Sequence, residues 1–149
     1  MNKERMLLLA DLLEELPEHK FSIEYWASEW DDEHQEHFSQ ENGDYVYLSG
    51  YDCTTAGCVA GWAVAMKNDM AIKNELEMDA GAIEHDAAVY LGLNRFQAND
   101  LFYYGSDSIY GRYAGELGLN TDQSLGPQIT KKHASIAVRK VAEGEWSLV

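Results

Sequence analysis

Two cysteines and five histidines are the side chains of this 149-residue chain best suited to chemistry. Cys53 and Cys58 frame Cys-Thr-Thr-Ala-Gly-Cys, and Thr55 is placed to cap a helix whose first turn would hold Cys58. A cysteine at a helix N-terminus can become a nucleophile, because the amides there favour the thiolate. A cysteine-dependent hydrolase centred on Cys58 would also need a histidine base, for which His85 and His133 are the candidates, and amides for an oxyanion. The electrostatics run the other way: Asp52 adjoins Cys53, and no Lys or Arg occurs between Lys20 and Lys67. A buried thiol packed as a small apolar group is the better reading, and no catalytic residue is assigned.

His34 and His37 form His-x-x-His, a spacing that can bring two imidazoles to one ion from a single helical turn. With Cys53 and Cys58 they would make a tetrahedral zinc set, or a metal-site enzyme if one position stayed open. The Cys-x4-Cys spacing is at the wide end for zinc, and the histidines sit in an acidic polar stretch, so no metal or other cofactor is expected. Among 26 acidic residues no pair can be singled out for acid and base work. Gly57-Cys58-Val59-Ala60-Gly61 lacks the lysine and following Ser or Thr of a phosphate loop.

The charge balance points to binding. Net charge is −15, and residues 1–52 hold fourteen Asp and Glu against three Lys and Arg. Such a chain is repelled by nucleic acid and by anionic membrane and attracted to basic protein surfaces, although charge of this size also serves solubility alone. Glu29, Asp31, Asp32, Glu33 and Glu36 lie in the stretch from Glu24 to Asp52 that has no cation, and could present carboxylates to a basic cleft where phosphates would otherwise sit. Tyr103, Tyr104, Tyr110 and Tyr113 lie in Tyr-Tyr-Gly-Ser-Asp-Ser-Ile-Tyr-Gly-Arg-Tyr, a composition like that of binding loops. The competing reading puts those tyrosines on the core of their own domain.

The elements that must position these groups are mostly helical. Lys3 to Leu16 reads as an amphipathic helix with Met6, Leu9, Leu13 and Leu16 on one face beside Leu8 and Leu12, stopped by Pro17. Phe21 to Trp30 reads as a helix capped by Ser22, with a short strand at Phe21, Ile23 and Tyr25 as the alternative. Glu29 to Asp44 reads as a solvated loop, and Tyr45 to Leu48 as a strand. The helix after Thr55 would carry a small-residue stripe, Gly57, Gly61 and Ala65, beside Trp62 and Met66. Asp79 would cap a helix burying Ile83, Ala87, Tyr90 and Leu91, ended by Gly92. Asn94 with Gln97 makes a capping box for a helix carrying Phe96, Leu101 and Phe102. Thr130 caps a last helix with Ala134, Ala137, Val138 and Val141 inward, Ile129 placed to staple its start, and Lys131, Lys132, Arg139 and Lys140 as the only basic stretch.

These readings give a mainly α, compact single-domain fold over residues 1–149, with about five helices and one short two-stranded β-ribbon. No apolar run approaches the roughly 20 residues needed to span a bilayer, and Met6 to Ala10 is too short and too quickly followed by acids for a signal peptide. Cytoplasmic residence is the expectation.

The stretch Cys53-Thr54-Thr55-Ala56-Gly57-Cys58-Val59-Ala60-Gly61-Trp62-Ala63 resembles a Cys-x-Thr-x-x-Cys-x-x-Gly-x-Ala pattern of small proteins encoded by tailed bacteriophages and bacteria. An aromatic segment upstream (Phe21 to Trp26), Leu91-Gly92-Leu93 with Leu101-Phe102, and a final helix from Ile129-Thr130 are similar too, so the likeness spans most of the chain. Thr54 departs from the small residue usual after the first cysteine. The resemblance implies a phage or prophage origin and a mainly helical domain, and brings no established activity. Charge and resemblance together give the expectation of a small acidic protein that binds and inhibits or modulates a host protein, as an anti-defence protein would. A cysteine-dependent hydrolase or metal-site enzyme at Cys58 is the alternative.

Overall fold

Residues 1–18, 21–23, 27–31, 36–38, 55–67 and 80–148 are described in the computed structural model. Within them the chain runs α1 (Lys3–Glu15), β1 (Ala27–Asp31), β2 (Glu36–Phe38), β3 (Thr55–Gly57), α2 (Val59–Lys67), α3 (Ala80–Leu91), α4 (Arg95–Phe102), α5 (Ile109–Arg112), α6 (Ala114–Leu117) and α7 (Lys131–Ala142). The fold is mainly α, and the five helices of eight residues or more match the number expected, α5 and α6 being single turns. The strand at Tyr45 to Leu48 and the cap at Asp79 fall outside the described residues.

Asn2 opens α1, its side chain accepting from the Arg5 amide at 3.1 Å while its own amide donates to the Leu91 carbonyl at 2.7 Å. Met6, Leu9, Leu13 and Leu16 are buried as their spacing requires, and Ala10 completes the face. Leu8 does not join them. It lies roughly 150° round the helix from Met6 and Leu13 and is exposed. Pro17 holds Leu16 extended (ψ 144°), which ends the helix.

The acidic side of α1 takes the basic face of α7. Arg139 pairs with Asp11 at 2.8 Å and Glu14 at 3.1 Å, the Lys131 ammonium donates to the Glu14 carbonyl at 2.7 Å, and the buried Ser135 hydroxyl donates to the Ala10 carbonyl at 2.7 Å. The start of α7 carries the expected cap: the Thr130 hydroxyl accepts from the His133 amide and the His133 ring accepts from the Thr130 amide. Ile129 and Ala134 are both buried, as a staple requires.

α2 is the centre of the molecule, packing against α1, α3 and α4. Every residue from Val59 to Ala65 is buried, including Trp62, and burying such a side chain as Val59 or Val64 contributes about 1.5–3 kcal/mol. Its start differs from the expectation. Thr55–Gly57 is a strand, because its backbone groups pair with Ala27–Glu29 of β1, and that tertiary pairing overrides a local cap at Thr55. Gly57 therefore leaves the small-residue stripe, which keeps Gly61 and Ala65.

The described residues hold a three-stranded antiparallel sheet in the order β2-β1-β3, built from other residues than the two-stranded ribbon expected of Phe21–Tyr25 and Tyr45–Leu48. β1 also corrects the helix drawn through Trp30, and with β2 it replaces part of the loop expected from Glu29 onward: Glu29 pairs with Phe38 on one side and Thr55 on the other. A segment with pairing on both edges gains a ladder that the polar composition does not announce.

α3 ends on Gly92 in the left-handed conformation (φ 69°), where an added Cβ would also meet the Asn2 backbone at 3.0 Å. The Asn94–Gln97 capping box then starts α4 after the three-residue link Gly92–Asn94. Tyr90 is half-buried beneath the Arg5 guanidinium, 4.4 Å from its ring centre, with Arg5 also donating to the Tyr90 carbonyl.

Candidate functional site

α4 buries Ala98, Leu101 and Phe102 and turns the opposite side outward. Phe96, expected on the buried face, is 75% exposed. It lies roughly 140° from Leu101 about the helix axis, so the spacing that buries Leu101 and Phe102 excludes it. Asn99 and Tyr103 follow on the same outward side, and Val89 of α3 is 62% exposed nearby in the chain.

Where α4 ends, the connection Tyr103–Ser106 faces the turn Thr121–Leu125 across a cleft of about 740 Å3. Cys58, Ile23, Phe102 and Asn99 line it between those two walls. Each wall is braced. Beneath the first, the Ser108 hydroxyl donates to the Gly105 carbonyl at 2.6 Å, and Gly111 of α5 lies so close that a Cβ there would stand 2.1 Å from the Ser106 carbonyl oxygen. Beneath the second, the Gln128 side chain donates to the Asn120 and Ser124 carbonyls, each at 2.9 Å, and accepts from the Asn120 amide at 2.8 Å.

Arg112 ties these parts together. Its guanidinium grips Asp100 of α4 through two bonds of 2.6 and 2.7 Å, and donates to the Asp107 carbonyl at 2.8 Å and the Ser147 carbonyl at 3.0 Å. Pairing with Asp100 raises the Arg112 pKa further. The C-terminal segment is drawn over α5 in consequence, and Trp146 stacks on Tyr113 with ring centres 4.1 Å apart and planes 5° from parallel.

Cys58 takes the capping position of α2 in place of Thr55. Its carbonyl accepts from the Trp62 amide at 3.0 Å and its sulfur from the Gly61 amide at 3.4 Å. Burial pushes the thiol up to about 11, against the neighbouring backbone amides that would favour the thiolate. Helix N-terminus and burial compete here, and burial wins. Tyr103, at the rim, donates to Glu84 of α3 at 3.1 Å, and its pKa is raised by partial burial and then by that carboxylate.

The remaining sequence candidates scatter. His85 is exposed on α3 and lines a separate hollow with Glu84, Val89 and Arg95; His133 serves the α7 cap, and its pKa is lowered by burial, partly offset by the Leu117 and Gln128 carbonyls. Neither histidine is among the described residues lining the cleft with Cys58. Of the zinc set, His34 and Cys53 lie outside the described residues and His37 stands in β2; the described residues hold no group of three or more His, Cys, Asp and Glu fit for a metal ion. Glu29 and Asp31 belong to β1 and Glu36 to β2, while Asp32 and Glu33 lie outside the described residues. The four tyrosines divide: Tyr103 and Tyr104 line the cleft, Tyr110 is wholly buried, and Tyr113 is occupied by Trp146. Tyr110 thus offers no surface to a partner, because α5 is a helical turn with Ile109 and Tyr110 packed into the core.

Sequence reading missed Phe96, Asn99 and Gln123. The spacing of α4 could have found the first; no local signal marks the other two. Comparisons with family models, with curated proteins and with solved structures found no match.

Proposed function

We propose that this protein works by binding rather than by catalysis, taking hold of a host protein with a basic surface and inhibiting or modulating it. The observation that carries this reading is the set of exposed large apolar residues Val89, Phe96 and Tyr103 on α3, α4 and the α4 end, in a chain of net charge −15. Exposed apolar surface of this kind marks contact sites, and aromatic side chains supply much of the energy in them. The carboxylates between Glu24 and Asp52 would speed encounter with a basic partner and disfavour nucleic acid or anionic membrane. Among the described residues no helix is long and apolar enough to cross a membrane, and residence in the cytoplasm, of a host cell if the chain is phage-encoded, belongs to this reading.

One observation favours a hydrolase instead: the Cys58 thiol lines a cleft from a helix N-terminus. Its raised pKa and the positions of His85 and His133 count against that alternative.

The test is capture of partners from bacterial lysate on the immobilised protein at low and high salt. A basic protein should be retained at low salt, released at high salt, and held less by a Phe96→Ser, Tyr103→Ser double variant. If no basic partner is retained at low salt, the reading fails.

A further inference from the structure

The interior of the cleft offers a different chemistry from the apolar surface outside it. Aromatic rings come from Phe102, Tyr103 and Tyr104, and hydroxyls from Ser106, Thr121 and Ser124. Asn99 of α4 and Gln123 of the Thr121–Leu125 wall both line it, and each primary amide presents a donor beside an acceptor. No Lys, Arg, His, Asp or Glu is among the described lining residues, in a protein whose net charge already repels anions. The volume falls in the range of small-molecule sites, about 300–1,000 Å3.

We propose that the cleft between Tyr103–Ser106 and Thr121–Leu125 binds an uncharged heteroaromatic small molecule carrying hydroxyl groups, for which a nucleoside is the representative. The rings supply a stacking face, the Asn99 and Gln123 amides read donor and acceptor positions on the ring edge, and the three hydroxyls meet the hydroxylated substituent. The Gly111 and Gln128 braces hold both walls in place before the ligand arrives, which lowers the ordering cost of binding. This site shares Tyr103 with the partner-protein reading, which also rests on Val89 and Phe96, neither of them among the described residues lining the cleft.

Titration of the 15N-labelled protein with adenosine, uridine, AMP and N-acetyl-tryptophanamide at millimolar concentration tests it. A nucleoside should shift the amides of Tyr103–Ser106 and Thr121–Leu125 saturably, with AMP weaker by about tenfold or more because none of the described lining residues offers its phosphate a cation. Gln123→Ala, an exposed substitution that leaves the fold intact, should weaken nucleoside binding at least about threefold, as loss of one hydrogen bond requires. AMP binding as tightly as adenosine overturns the uncharged-ligand assignment. Tighter binding of N-acetyl-tryptophanamide than of either nucleoside overturns it in favour of a partner's side chain, and no saturable shift with any probe overturns the site.

Discussion

Removing Arg112 should destabilise this protein more than any other single change to a charged residue described above. Asp100 is 5% exposed and the Arg112 side chain 29%, so the two ends of the pair differ in what they can recover from water. Arg112→Ala deletes two charge-assisted bonds to Asp100 and two bonds to carbonyls, and leaves a carboxylate that cannot be resolvated. Breaking a buried pair from that side costs about 3–5 kcal/mol, a large part of the about 5–15 kcal/mol that holds a domain folded. Asp100→Asn keeps the shape and leaves a cation that still reaches water and two carbonyls, so about 1.5–3 kcal/mol is expected. The double variant should cost less than the sum of the two, by at least about 1 kcal/mol, because both single changes remove the same pair of bonds. Urea unfolding followed by tryptophan fluorescence measures all three, and high salt should leave the Arg112 effect largely unchanged because a buried pair is poorly screened. If Arg112→Ala costs under about 1 kcal/mol, the pair behaves as an exposed one and the bracing of α4, α5 and the C-terminal segment is not its work.

The Cys58 thiol, moved from 9.0 to about 11, should carry about a hundredfold less thiolate at neutral pH than the unfolded chain, so iodoacetamide labelling at Cys58, read by peptide mass, should slow by that order in the native protein. Fast native labelling at Cys58 would overturn this and revive the hydrolase. Because the folded pKa is the higher one, its contribution to stability is complete below pH 9 and is lost as pH rises towards 11; Cys58→Ala should remove that decline. His133 has the opposite sense: its folded pKa lies below 6.5, so stability is complete above that pH and falls as the unfolded imidazole takes up its proton, levelling once the folded one does. His133→Gln, which can still close the capping box, should flatten that acid-side decline in urea midpoints. Gly111→Ala must move the Ser106 backbone away from a 2.1 Å contact; a loss of about 1–3 kcal/mol is expected, with amide shifts centred on Gly105 and Ser106.

Local rules made the helical frame legible. The Asn94 and Thr130 boxes, the Gly92 stop and the Pro17 break are each determined by a few neighbouring residues, and all stand where their chemistry puts them. What could not be read depends on partners distant in sequence. Thr55 has the chemistry of a cap and the structure of a strand, because Ala27–Glu29 supplies a ladder that no local pattern records. The cleft shows the same division. Its tyrosines were visible as composition, but their separation into Tyr103 and Tyr104 at the opening and Tyr110 in the core follows from α5 folding under the loop, which needs Gly111 against Ser106 and Arg112 on Asp100.

The placement of cations gives the charge its meaning. Arg5, Lys67, Arg112, Lys131, Arg139 and Lys140 all contact groups within the chain: Tyr90, Asp86, Asp100, the Glu14 carbonyl, Asp11 with Glu14, and Glu145. Six of the nine basic residues on the described helices thus serve internal contacts, and α7, the only basic stretch in sequence, spends Arg139 on α1. The carboxylates between Glu24 and Asp52 have no cation in their own stretch to answer them. In the binding reading proposed above, the carboxylates between Glu24 and Asp52 would supply steering and the exposed Phe96 of α4 the grip, the first weakened by salt and the second by loss of Phe96.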